Sequence, residues 1–204
     1  MNALENWFCA TSFWRSLTQN KLLPWIVSGS SLGDHLLEVG SGPGAATPEL
    51  KRLVPRVTSI EYSHAFAVGL TIEPHAASSQ VVQGDASTLP FADASFSAAV
   101  AILMLHHLQS PELQDRAFIE ILRVLRPGGV FFAFEIQDGW LQRAIHRHST
   151  FVPVAPASLP ARLSAVGFAR VMVISRFFVF RVRAHKDSIA NEGRENMRRL
   201  HDCS

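Results

Sequence analysis

The sequence predicts an α/β fold: a doubly wound, mostly parallel sheet with helices on both faces. Three observations predict it. Short apolar runs at 35–40, 56–62, 79–85, 96–104 and 129–136 are rich in Val, Ile, Phe or Ala and do not alternate strictly. Runs of that length and kind suit strands buried on both faces, as in a parallel sheet. Helical stretches separate them, and a repeated strand–helix order calls for parallel strands joined by right-handed crossovers. The first run ends in a loop of small residues, Gly40-Ser41-Gly42-Pro43-Gly44, that leads into a helix.

The elements follow in order. Residues 1–30 read as a helical lid, because Trp7, Trp14, Leu17, Leu22, Leu23, Trp25 and Ile26 recur near helical spacing, and Phe8 and Phe13 extend the aromatic face. Residues 31–184 form the main domain. Residues 45–54 are one helix, and 110–125 is the plainest. Ser110 caps it and Pro111 suits its first turn. Leu113, Phe118, Ile121, Leu122 and Leu125 make its apolar stripe, and Pro127-Gly128-Gly129 ends it and turns the chain into the next strand. A last helix over 157–168 closes at Gly167. Two strand-like stretches, 171–177 and 178–184, follow with no helix between them, so they read as an antiparallel pair at a sheet edge. Residues 185–204 are polar and mixed in charge, a tail.

Composition narrows the function classes. The chain has 204 residues, 48% hydrophobic and 18% charged, an ordinary globular balance. A chain of this length buries roughly 70% of its unfolded surface and needs no disulfide or structural metal. A net charge of +2 is too small to argue for nucleic acid or an anionic membrane. Cys9 and Cys203 are no disulfide framework and fit a reducing, cytoplasmic compartment. The N-terminus lacks the basic-then-apolar order of a signal peptide, and no run of ~18 apolar residues suits a membrane span.

The glycine loop carries the chemistry. Glycines let the backbone turn sharply and let a ligand lie against it, and the following helix start offers unpaired N–H groups. Two cofactors compete for such a loop. With Ala45 as the last position it matches the dinucleotide fingerprint G-x-G-x-x-G/A, and Glu61, about twenty residues on, suits ribose hydroxyls in either case. Glu38, two residues before the first glycine, separates them. A fixed negative charge there opposes a pyrophosphate and suits a cofactor bearing an ammonium and a sulfonium. Asp85 ends the third strand, placed to accept a hydrogen bond from an adenine amino group. A nicotinamide oxidoreductase is the rival enzyme, but the single tyrosine, Tyr62, has Phe66 where a hydride-site Tyr-x-x-x-Lys needs lysine.

The segments 36–44, 60–63, 81–100, 104–108 and 122–129 resemble, in order, the motifs of class I S-adenosylmethionine-dependent methyltransferases of the type-11, small-molecule kind. The helix ending at 165–168 before the edge strands fits as well, and the resemblance covers 33–184. It implies a Rossmann-like, seven-stranded sheet with an antiparallel strand in its last pair. It further implies that Gly40, Ser41, Gly42 and Gly44 line the methionine part of S-adenosyl-L-methionine, that Glu38 holds its amino group, and that Glu61 binds the ribose. Tyr62 lies against the adenine, Asp85 and the Ala86 amide read its edge, and Leu103 and Met104 close the other face. Glu38 stands where the family more commonly has Asp. Ser97 stands where an Asp often follows the Phe that opens the fourth strand.

Candidates for the chemistry itself rest on position. His106 and His107 follow the fourth strand, where this fold opens its ligand crevice; one faces substrate and the other packs or caps the next helix. Asp138, just past the fifth strand, is a base or a turn residue in Gln137-Asp138-Gly139. His146 and His148 share a face if extended, but no third ligand stands at a useful spacing, so no metal is expected and a solvated insert is the plainer reading. The acceptor pocket is expected from residues 1–30, the segment after the fourth strand and residues 137–158, lined by Trp140, Phe151 and Val152. That lining suits a small apolar or aromatic methyl acceptor, with S-adenosyl-L-homocysteine as the other product and a monomer or homodimer as the working unit. The segment 104–108 lacks the motifs of enzymes that methylate DNA bases, which disfavours nucleic acid. A non-catalytic partner subunit that keeps the cofactor pocket is the remaining alternative.

Overall fold

The computed structural model describes residues 7, 9, 11–72 and 79–188. The apolar runs become strands because each residue of a central strand has a core to enter on one face or the other. In β1 (His35–Val39), Leu37 and Val39 enter one core and Leu36 enters the opposite one. In β5 (Leu125–Ile136), Phe131 and Ala133 face the first core, while Val130, Phe132 and Phe134 face the second. Burial on both faces is why these runs do not alternate in hydropathy.

The seven strands are ordered β3-β2-β1-β4-β5-β7-β6. β1 pairs in parallel with β2 (Arg56–Glu61) on one side and β4 (Phe96–Ile102) on the other. β3 (Ser79–Gln83) is the parallel outer strand beside β2. β7 (Val179–Lys186) runs antiparallel to both β5 and β6 (Phe168–Arg176). The sheet is thus the expected mostly parallel one, with its antiparallel strand in the terminal hairpin.

Helices cover both faces. On one lie α1 (Ser12–Leu17), a π-helical turn (Thr18–Leu22), α2 (Leu23–Val27) and α3 (Thr47–Leu53), burying Leu23, Ile26 and Leu50. α4 (His64–Ile72) connects β2 to the segment before β3. α5 (Pro111–Val124), the short α6 (Trp140–Ile145) and α7 (Leu159–Ala165) follow. Ser110 does cap α5, its hydroxyl accepting from the Leu113 amide at 3.3 Å. The buried face of α5 is Gln114, Ala117, Phe118, Ile121 and Val124. Of the expected stripe, Phe118, Ile121 and Leu125 are buried and Leu122 packs against their core, while Leu113 lines a cavity instead.

Boundaries differ from expectation at β6, which starts at Phe168, inside the stretch read as the last helix, and at β5. β5 starts at Leu125 rather than after Gly128-Gly129, because Leu125 pairs with Phe96 before residues 126–129 loop out ahead of the Ala98–Val130 pair. α4 was not anticipated; its Leu70 packs against Gly44 of the loop. Ser97 serves as an anchor in its own right. Its hydroxyl accepts from the His35 amide at 3.0 Å and donates to the Leu32 carbonyl at 2.7 Å, joining the starts of β1 and β4. The N-terminal helices are tied to the sheet edge: the Arg181 guanidinium sits 5.1 Å from the Trp25 ring centroid and donates to the Ser28 hydroxyl at 2.6 Å. The expected lid residue Phe8, Cys203 and the tail beyond residue 188 lie outside the described residues. No helix among the described residues is long and apolar enough to cross a membrane.

Candidate functional site

A cavity of about 620 Å³ opens at the carboxyl ends of β1 to β4. β1 lies between β2 and β4, where the strand order reverses, so a crevice forms there as the connections leave to opposite faces. Glu38, Gly40, Ser41, Gly42, Glu61, Tyr62, Asp85, Ala86, Leu103, Met104 and His107 all line it.

The loop after β1 is fixed by backbone geometry. Gly40 has φ +73°, and a β-carbon there would lie 2.1 Å from the Met104 Cγ. Only glycine lets the chain turn under Met104 at that distance. The Gly40 amide donates to the Ile60 carbonyl at 2.8 Å, and the Gly42 amide to Glu61 Oε2 at 2.8 Å. Glu61 Oε1 also accepts from the Ser63 amide at 2.8 Å. One carboxylate therefore braces the glycine loop and the start of α4 together. Gly44 does not line the cavity; a β-carbon there would meet Leu70 at 2.4 Å, so it sets the packing of the loop on α4.

Glu38 is buried, and its Oε2 accepts from Ser59 Oγ at 2.6 Å and Thr47 Oγ1 at 2.8 Å. Burial raises its pKa above the ordinary glutamate value, against the lowering effect of those two hydroxyls. Its second oxygen retains acceptor capacity, and the residue lines the cavity. Asp85 Oδ1 accepts from the Ser87 amide at 2.7 Å, which fixes the turn after β3. Tyr62 is exposed at the rim. Leu103 adopts φ +52°, a strained conformation held by its amide, which donates a hydrogen bond to the Phe134 carbonyl at 2.8 Å. Two hydroxyls on this wall, Ser41 Oγ and Thr18 Oγ1, are buried and have no hydrogen-bond partner among the described residues. Buried polar atoms are nearly always paired, so both call for a polar ligand.

The catalytic candidates separate. His107 lines the cavity, with Nδ1 3.2 Å from the Thr150 carbonyl. Burial, then the neighbouring His106, push its pKa down to about 3. His106 does not line the cavity: its ring is buried, Nδ1 2.5 Å from Glu135 Oε2. Asp138 is also away from the cavity, because Arg143 of α6 draws it into a two-bond ion pair at 2.8 and 2.6 Å. The expected acceptor lining is corrected too. Trp140 is 82% exposed, Val152 is not part of the wall, and Phe151 stacks on His146 at 4.6 Å between centroids. Trp14, Leu108, Leu113 and Thr150 form that part of the wall instead.

Sequence reasoning missed Thr18, Thr47, Ser59 and Glu135. Only Glu135 carried a signal, a lone carboxylate inside an apolar run. His146 was read as part of a solvated insert with His148. In the structure His148 is exposed and His146 is buried against His106 and His107.

A sheet in this order, with an antiparallel β7 and a glycine loop under a cavity holding three carboxylates, defines the class I S-adenosylmethionine-dependent methyltransferase fold. Residues 37–133 match the family model described as "Methyltransferase domain". The chain is 36% identical over 124 residues to sterol 24-C-methyltransferase ERG6B of Gibberella zeae, covering 58% of this chain and 30% of that one. It is 34% identical over 117 residues to a demethylmenaquinone methyltransferase of Beutenbergia cavernae, covering 57% and 44%. The chain thus spans less than half the length of these two relatives. Among solved structures, the DhpI–SAM–HEP complex superposes with a TM-score of 0.69 at 18% identity, covering 88% of this chain and 90% of that one. At that identity the likeness shows the fold.

Proposed function

We propose that the chain transfers a methyl group from S-adenosyl-L-methionine to a small, apolar or aromatic acceptor, releasing S-adenosyl-L-homocysteine. The observation that carries this is the convergence of Glu38, Glu61 and Asp85 on one cavity beside two buried, unpartnered hydroxyls. The residues fit that cofactor. Glu38 would hold its ammonium, and Ser41 and Thr18 would donate to its carboxylate. Glu61 would accept from the ribose hydroxyls, and Asp85 with the Ala86 amide would read the adenine between Tyr62, Leu103 and Met104. A buried negative charge at Glu38 disfavours the pyrophosphate of a dinucleotide, which counts against the oxidoreductase reading.

Bound, the cofactor supplies a methyl group already activated on a cationic sulfur. What the chain must add is position and a dry environment, and proximity alone can be worth ~7–11 kcal/mol of barrier. Trp14, Leu108 and Leu113 give an apolar wall for the acceptor. His107, neutral down to about pH 3, offers the cavity a lone pair rather than a proton. The relatives named for a sterol and for demethylmenaquinone agree with an apolar acceptor. Calorimetry with S-adenosylmethionine, S-adenosylhomocysteine and NAD tests the cofactor: binding of NAD alone sinks the proposal. A labelled-methyl screen against a metabolite collection tests turnover; cofactor binding with no labelled product from any acceptor favours the non-catalytic subunit.

A further inference from the structure

Three histidines meet behind the cavity wall. His106 and His107 sit on the 3₁₀ turn Leu105–His107 after β4, and His146 follows α6, forty residues away. A ring nitrogen from each lies within 4.8 Å of the other two. The ring centroids are 4.2 Å apart for His106–His107, 5.1 Å for His106–His146 and 5.6 Å for His107–His146.

Their orientation is set by oxygen acceptors. His106 Nδ1 faces Glu135 Oε2 at 2.5 Å, His107 Nδ1 faces the Thr150 carbonyl at 3.2 Å, and His146 Nδ1 faces the Gln142 carbonyl at 2.7 Å. A carbonyl or carboxylate oxygen there is satisfied by a proton on Nδ1, and a ring that carries one proton then presents its lone pair at Nε2. His106 and His107 are thereby oriented by the kind of outer contact that orients metal-ligating histidines, one being a carboxylate, and His146 brings a ring nitrogen within 4.8 Å of theirs.

We propose that His106, His107 and His146 bind one divalent transition-metal ion of the zinc type, through one ring nitrogen each, with Glu135 as the carboxylate that orients His106. Imidazole suits zinc, cobalt and nickel, and three histidine ligands leave the fourth position of a tetrahedral ion open. Zinc–nitrogen bonds of about 2.0–2.1 Å bring tetrahedral ligand nitrogens to about 3.3 Å apart, so the widest-spaced rings close in by up to about 1.5 Å on binding. The open position falls to water or to an acceptor atom entering from the cavity that His107 lines. An acceptor carrying a hydroxyl, thiol or amine is the class such an ion would take.

The test uses the full chain after dialysis against a chelator. Co²⁺ is titrated while its visible ligand-field absorption is followed, and Zn²⁺ is then added as competitor. The expected result is one ion per chain with tetrahedral absorption, displaced by zinc. His107→Gln and His146→Gln each weaken binding about 100-fold or more, and Glu135→Gln about 10–100-fold. His148→Gln, at an exposed position two residues from His146, leaves it unchanged. Circular dichroism checks the fold of each variant; if His146→Gln unfolds, His107→Gln at the less buried position decides. No stoichiometric binding, or equal binding by His107→Gln with native dichroism, overturns the site. Metal binding is read without cofactor or acceptor, so its failure leaves the methyl-transfer reading standing, and the reverse holds.

Discussion

Glu38 must be negative to hold a cation, yet burial favours its neutral form. The sign follows from linkage. In the folded chain Glu38 binds its proton more tightly than in the unfolded chain, so ionising it opposes folding. That opposition is absent below the ordinary glutamate value, grows as pH rises from it, and is complete above the raised folded value. A cationic ligand reverses the preference, so cofactor affinity should fall on acidification sooner than for an ordinary glutamate; calorimetry across a pH series checks this. Glu38→Gln should weaken S-adenosylmethionine binding about 10–100-fold, the loss of one charge-assisted contact, while leaving stability at neutral pH unchanged or higher. Gly40→Ala should do the opposite to stability. Its β-carbon would lie 2.1 Å from Met104 Cγ in a left-handed backbone. A loss of about 1–3 kcal/mol by urea unfolding is expected, together with loss of cofactor binding.

Between elements, the buried Glu135 joins the end of β5 to the turn after β4. It accepts from the Leu105 amide at 2.7 Å as well as facing His106. Glu135→Ala leaves a buried amide and a buried imidazole without their acceptor, and a loss of about 3–5 kcal/mol is expected in denaturant titration. Arg123 of α5 plays a similar part for the segment after β3. It donates to the Leu89 carbonyl at 3.0 Å, the Phe91 carbonyl at 2.7 Å and Asp93 at 2.7 Å, while Glu120 holds its other face. Arg123→Ala should lower stability by about 2 kcal/mol and loosen the turn that carries Asp85. Strand and helix positions of this kind were legible where hydropathy is periodic or continuous. The start of β5 was not, because Pro127 and the two glycines read as a stop while Leu125 gains a partner across the sheet. The burial of His146 was equally hidden, since a short helix of six residues has no period strong enough to show which side faces inward.

For the molecule as a whole, the cavity couples ligand binding to stability. A ligand at 100 times its dissociation constant adds about 2.7 kcal/mol to unfolding. For a chain of this length that is roughly a 5–11 °C rise in melting temperature with S-adenosylmethionine. NAD at the same concentration should give no rise. The sequence by itself determined the parallel sheet, the terminal hairpin, the glycine loop and the three strand-end carboxylates, because each depends on residues close together in the chain: a buried run, a turn, a charge where the run stops. Only the tertiary structure decided the rest. It sent Asp138 to Arg143 and hid His106 behind Glu135. It also put Thr18 on the cavity wall and brought His146 to the His106–His107 turn. Those placements join residues dozens of positions apart, and their energies come from burial and from pairing polar atoms across the fold, which no local pattern records.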